Sequence, residues 1–177
     1  VLLRKGFCSI IITTTLMNNS LTFEQPSEND YQIISQGISD ENKKSPHMMN
    51  VSPEYLKQSV ETYGGSALYV QGELAGFIKL IHLGNDIFEW GSLFVLEIFR
   101  GQKLSKILIS HILETHKTKA MICVTNVEQV KRVCKELEQI EIVRSSISKE
   151  ILLLIENGQP LLNDDHIFGN EAFCKML

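Results

Sequence analysis

The residues best suited to chemistry lie at Arg100-Gly101-Gln102-Lys103-Leu104-Ser105. There an apolar, strand-like run, "LFVLEIF", gives way without a spacer to the helical periodicity of "LSKILISHIL". A helix N-terminus carries unpaired backbone N–H groups and the positive end of the helix dipole. Small and basic residues at such a junction therefore form a seat for a phosphate or another compact anion. Other reactive residue types do not converge. Cys8, Cys123, Cys134 and Cys174 make no CxxC pair and no metal-ligand spacing, which predicts reduced thiols and no metal site. His111 and His116 stand five apart, one more than the spacing that puts two zinc-binding imidazoles on one helix face. His82 and His166 read as surface or half-buried residues.

Holding an anion at residues 100–105 requires a strand before it, a helix after it and a sheet behind both. The chain supplies these in order. "SLTFEQ" (20–25) reads as a first strand ended by Pro26, and Ser27 offers an N-cap oxygen to the helix "ENDYQIISQGI". The polar stretch Asp40 to Asn50 reads as a loop. In "SPEYLKQSVETYGG", Ser52 caps a second helix, Pro53 takes its first turn and Gly64 supplies the stop. "ALYVQGELAGFIKLIHL" reads as a hairpin about Gln71-Gly72-Glu73, and a turn at Gly84-Asn85-Asp86 leads to the strand "IFEWGSLFVL". Gly91 inside that strand predicts a bulge or a close backbone approach.

After the loop, Leu104, Ile107, Leu108, His111 and Ile112 recur at helical spacing, and Ile109 and Leu113 widen the stripe, which predicts a largely buried helix. "AMICVT" is a fully apolar strand. In "NVEQVKRVCKEL", Val127, Val130, Cys134 and Leu137 share a face, with Glu128 and Arg132 expected as a surface pair. "IEIV" and "EILLLIE" are expected to close the sheet, and "NDDHIFGNEAFCKML" to hold a short helix. Hairpins combined with βαβ units predict an α/β (α+β mixed) fold with a central mixed sheet flanked by helices.

The chain's 177 residues suffice for one domain. Its 44% apolar and 21% charged residues are ordinary for a globular protein. A formal charge of −4 argues against a general nucleic-acid binder and leaves room for a cationic acceptor or a locally held anion. No run of about 18 apolar residues is present, so no membrane-spanning helix is expected. Residues 1–16, "VLLRKGFCSIIITTTL", read as an extension outside the core, whose removal should leave folding intact; residues 17–177 are expected to form a single domain. These features together predict a cytoplasmic protein.

The element order and the stretch "EWGSLFVLEIFRGQKLSKILISHIL" resemble the GNAT acyltransferase superfamily, which carries Q/R-x-x-G-x-G/A between its central strand and the following helix. "VQGELAGFIKL" is similar to the family's hairpin. The resemblance spans roughly Leu21 to Ile155 and implies the acyl-CoA N-acyltransferase architecture with a splayed sheet. It implies acetyl-CoA as co-substrate, with its pantetheine arm along the backbone of Leu93, Phe94 and Val95. Its pyrophosphate would lie on Arg100, Gly101, Gln102, Lys103, Leu104 and Ser105, with Asn126 a further cofactor contact. Lys103 and Ser105 depart from the motif, since they stand where the family has glycine and glycine or alanine.

The implied reaction is transfer of an acetyl group to the amine of a small molecule or peptide; the resemblance also leaves room for a homodimer. The amine must be neutral to attack, which calls for a base. Glu89 is placed like the strand glutamate that some family members use, although an exposed strand carboxylate would look the same. Relatives commonly use a tyrosine to protonate the leaving thiolate, and none stands in the corresponding helix here. Cys134 falls near that place, either as the proton donor or as a core residue on the helix's apolar face. The alternative function is a degenerate member of the fold that binds CoA or a partner without turnover.

Overall fold

The computed structural model of the chain describes residues 20–44, 50–84, 87–117, 120–125, 127–137, 140–142 and 171–175. The expectations for the first sixteen residues and for the strand "EILLLIE" lie outside these. The elements are β1 (Leu21–Glu24), α1 (Glu28–Lys44), α2 (Pro53–Tyr63), β2 (Gly65–Val70), β3 (Glu73–Gly84), β4 (Ile87–Val95), a 3-10 turn (Glu97–Phe99), α3 (Leu104–Thr115), β5 (Ala120–Thr125), α4 (Glu128–Glu136), β6 (Ile140–Ile142) and β7 (Glu171–Lys175).

One seven-stranded sheet runs β1-β2-β3-β4-β5-β7-β6. Its neighbours pair antiparallel except β4 with β5, which are parallel. The sheet is therefore mixed, as expected. Of the last stretch, where a short helix was expected, the described part is a strand at Glu171–Lys175, paired with both β5 and β6; residues 163–170 lie outside the described residues.

Local chemistry explains most boundaries. Ser27 opens α1: its hydroxyl accepts from Asp30 N–H, and its own N–H donates to the Asp30 carboxylate at 2.8 Å. Burial alone would raise the Asp30 carboxyl, but hydrogen bonds from Ser27 and Tyr69 outweigh it and hold the group below its usual range. Tyr69 donates to Asp30 at 2.7 Å and so ties α1 to β2. The expected loop at Asp40 begins too early, because α1 continues to Lys44. Asp40–Lys43 and Glu41–Lys44 pair along the last turn, where lysines also suit the helix dipole. In α2, Ser52 accepts from Tyr55 N–H and Gly64 takes φ +102° at the exit. Gln71 and Gly72 both have positive φ and close the two-residue hairpin between β2 and β3.

Two cores lie on the two faces of the sheet. Tyr31, Ile34, Ile38, Leu56, Val60, Phe77 and Phe94 pack under α1 and α2. Leu80, Trp90, Leu104, Leu108, Ile109, Ile112, Met121, Cys123 and Cys134 pack under α3 and α4. The exposed surface of α4 pairs Glu128 with Lys131 at 3.0 Å, replacing the expected Glu128–Arg132 pair. Among the described residues no helix is long and apolar enough to cross a membrane.

Candidate active site

The site is built on β4. Gly91 stands opposite Lys79 and Phe94 opposite Phe77, so two residues of β4, Ser92 and Leu93, face the single Ile78 of β3. That is a β-bulge, with Ser92 at φ +49°. The expectation placed the irregularity at Gly91; the left-handed residue is its neighbour. On the other side, β4 pairs with β5 only from Ile87 to Glu89, against Ala120 to Ile122. Beyond Glu89 the two strands part, while β5 continues to Thr125 against β7. The β5-facing edge of β4 after the bulge therefore has no strand partner among the described residues. An extended amide-bearing chain can add along such an edge.

Leu93, Phe94 and Val95 lie on this edge. Their side chains are committed to packing: Phe94 enters the α1 core, and Leu93 and Val95 pack against the α3 core. What they present to a ligand is backbone. From Val95 the chain passes through the 3-10 turn into the loop. Arg100 N–H donates to Glu97 O at 3.2 Å. The Arg100 guanidinium donates to the Val95 carbonyl at 3.1 Å and pairs with Glu41 of α1 at 3.0 Å. Arg100 thus shapes the loop and clamps it to α1. Gly101 at φ +81° turns the chain, and Leu104, 2% exposed, anchors α3 in the core.

Lys103 caps α3 in the left-handed conformation, φ +60° and ψ 21°, with no side-chain capping bond. It adopts the backbone that the family's glycine would provide. The Lys103 carbonyl accepts from Lys106 and Ile107 N–H, so Gln102 to Ser105 lead into the helix ahead of its first internal bonds. Cations ring this end. Lys106 pairs with Glu136 of α4 at 2.8 Å, and that contact, with the charges of Arg132 and Lys103 adding, holds the Glu136 carboxyl below its usual value. The strain at Lys103 gives a prediction: Lys103→Gly should raise unfolding stability by about 1 kcal/mol, and Lys103→Ala should not. Urea unfolding of the three proteins measures it.

Successive strand residues alternate faces, so Glu89 and Gly91 share one face with Lys79, while Trp90 points with Leu80 into the α3 core. Glu89 is 6% exposed and Lys79 4%. The Lys79 ammonium lies 4.6 Å from the centroid of the Tyr55 ring. Burial pushes its pKa down, and the charge of Glu89 opposes that shift. The structure thus buries Glu89 beside a cation, where the sequence allowed an exposed carboxylate. Above Gly91 the space is open, since a Cβ there would meet nothing within 4 Å. Lys79 was missed by the sequence reading. The available signal was a lone charge in each of two facing apolar runs, "FIKLI" and "IFEWG".

Cys134 is fully buried in the α3–α4 core, its thiol against that of Cys123. Burial, then the hydrogen bond with Cys134, push the Cys123 thiol well above its usual value. This placement fits the packing reading of Cys134 and does not put it with Glu89 on the open face. Asn126 lies outside the described residues. Thr125 precedes it and accepts from Val127 N–H at 3.1 Å, shaping the entry to α4. Among the described residues no cluster of His, Cys, Asp and Glu could hold a metal.

Comparison with known proteins agrees with this geometry. No curated protein matches the sequence. Among solved structures, the chain is similar to Rv2747 from Mycobacterium tuberculosis in complex with CoA, at TM-score 0.69 and 14% identity over 88% of this chain and 99% of that one. It is similar to N-acetylglutamate synthase from Neisseria gonorrhoeae complexed with coenzyme A and N-acetyl-glutamate, at TM-score 0.67 and 14% identity over 88% of this chain and 35% of that one. It is also similar to yncA from Salmonella typhimurium with its cofactor acetyl-CoA, at TM-score 0.61 and 10% identity over 88% and 91%. The sequence model of the Acetyltransferase (GNAT) family matches residues 31–133. With more than half of its length inside that match, the chain belongs to the GNAT acetyltransferase family.

Proposed function

We propose that the protein is an N-acetyltransferase that moves an acetyl group from acetyl-CoA to the primary amine of a small molecule or peptide. The observation that carries this reading is the edge of β4, unpaired beyond Glu89 among the described residues, which leads past the bulge and the 3-10 turn toward the N-terminus of α3. Such an edge offers backbone hydrogen bonds to the amides of a pantetheine arm, and the helix start offers N–H groups to its pyrophosphate. The CoA complexes among the similar structures support the same co-substrate.

In this reading the amine nitrogen attacks the thioester carbonyl carbon, the C–S bond of the tetrahedral intermediate breaks, and CoA leaves as thiolate. Glu89 takes the amine proton, directly or through water. The reading assigns no proton to Cys134, whose surroundings are apolar.

Two observations favour the alternative of a CoA binder without turnover. Lys103 replaces a motif glycine, and α4 carries no tyrosine where relatives commonly have one for the leaving group. Both readings predict that CoA raises the melting temperature and gives calorimetric heat. Only the enzyme releases free thiol from acetyl-CoA in a screen of amines, polyamines, amino acids and peptides. No heat and no stabilisation at millimolar CoA would sink both.

A further inference from the structure

We propose that Lys79 recognises an acid group on the acceptor, so that the substrate is a small molecule carrying an amine and a carboxylate together. The inference rests on the acetyltransferase reading and names its acceptor class.

Lys79 sits in the middle of β3 on the face covered by α2, and it is 4% exposed. Its register partner is Gly91, and Glu89, two residues along β4, shares its face. A lysine and a glutamate buried together need not be there for stability, since an apolar pair of similar volume usually serves as well or better. These two border empty space, because a Cβ at Gly91 would meet nothing within 4 Å. The ring of Tyr55, a residue itself 46% exposed, covers Lys79 from the side of α2. This face of the sheet therefore brings an anionic group, a cationic group and an aromatic ring to the neighbourhood of the bare backbone at Gly91.

Adjacent and diagonal positions on paired strands lie roughly 5–8 Å apart. A molecule with its amine and carboxylate a few bonds apart spans that interval, with the amine toward Glu89 and the acid toward Lys79. A polyamine would bring a second cation against Lys79. A peptide N-terminus would bring no acid group at the required distance. Like-charge contact at a buried lysine rejects the first, and the second forgoes the contact with Lys79 that an amino acid's carboxylate would make.

The test uses the full chain with CoA bound and compares amino acids with the matching decarboxylated amines, for example leucine with 3-methylbutylamine. Acceptor binding to the CoA-bound protein is followed by titration calorimetry. Turnover is followed by thiol release from acetyl-CoA. The wild type should favour the amino acid by at least tenfold in both readouts. Lys79→Met should abolish that preference by weakening the amino acid alone, with the CoA dissociation constant unchanged. If Lys79→Met does not fold, Lys79→Arg, which keeps the charge and moves it, should lower the preference severalfold.

Equal or better binding of the amines to wild type overturns the proposal, as does an equal loss for both acceptors in the variants. Thiol release with amines and no preference for amino acids leaves the acetyltransferase standing and removes only this inference. Selective amino-acid binding with no thiol release supports recognition by Lys79 and removes the acetyltransferase.

Discussion

Glu89→Gln is expected to lower kcat by about 10²-fold or more, with the CoA dissociation constant unchanged within about twofold. Glutamine keeps the size and shape of the side chain and removes the ability to take a proton. CoA affinity should hold, because the proposed pyrophosphate seat is past the far end of β4, beyond Val95 and the 3-10 turn. The wild-type rate should fall on the acid side as the base becomes protonated, while the variant's profile should be flat there. Equal rates for the two proteins from about pH 6 to 9 would remove Glu89 from the mechanism.

One complication is built into the site. Glu89 faces the buried Lys79, and removing one partner of a buried pair can cost about 3–5 kcal/mol. Burial already holds the Lys79 ammonium below its usual pKa, and without Glu89 it falls further. The variant can therefore shed part of this cost by releasing the lysine proton. A Lys79→Met/Glu89→Gln double variant separates the effects: its melting temperature should recover toward wild type, and its rate should not.

The frame of this site was legible in the sequence wherever one local signal decided the outcome. Ser52-Pro53 at the start and Gly64 at the end bound α2 because each answers a specific backbone need. Gln71-Gly72 closes its hairpin for the same reason. The strand–loop–helix passage at residues 93–105 was readable because a continuous apolar run gives way to period 3.6 with no spacer. The rest depends on contacts between distant parts of the chain. Residues 40–44 look like a loop until Lys43 and Lys44 close pairs within α1 and Arg100 arrives to meet Glu41. The burial of Lys79 needs the register of β3 on β4 and the cover of Tyr55, which no window of the sequence contains. Cys134 satisfied two readings at once, since an apolar helix face and a catalytic position give the same residue; its packing against Cys123 supports the first.

Two glycines of the same hairpin pair, Gly76 and Gly91, should respond to alanine in opposite ways. A Cβ at Gly76 would stand 2.8 Å from Leu108 Cδ1 and 2.9 Å from the Phe94 carbonyl oxygen. The first belongs to a fully buried side chain of α3 and the second to the backbone of β4, so neither moves cheaply. Gly76→Ala should destabilise by about 1–3 kcal/mol, lowering the melting temperature by about 2–4 °C for each kcal/mol. It should also weaken CoA binding, because the displaced helix carries Leu104 and the proposed anion seat with it. At Gly91 the φ is not left-handed and the added carbon meets nothing within 4 Å. Gly91→Ala should keep or slightly raise stability, by up to about 1 kcal/mol, since alanine loses less chain entropy on folding. CoA affinity should stay unchanged, and the acceptor KM should rise several-fold as the methyl enters the space beside Lys79 and Glu89. Urea unfolding, CoA calorimetry and acceptor kinetics on the two variants give the comparison. An acceptor KM unaffected by Gly91→Ala would place the acceptor elsewhere on the sheet, whatever happens at Gly76.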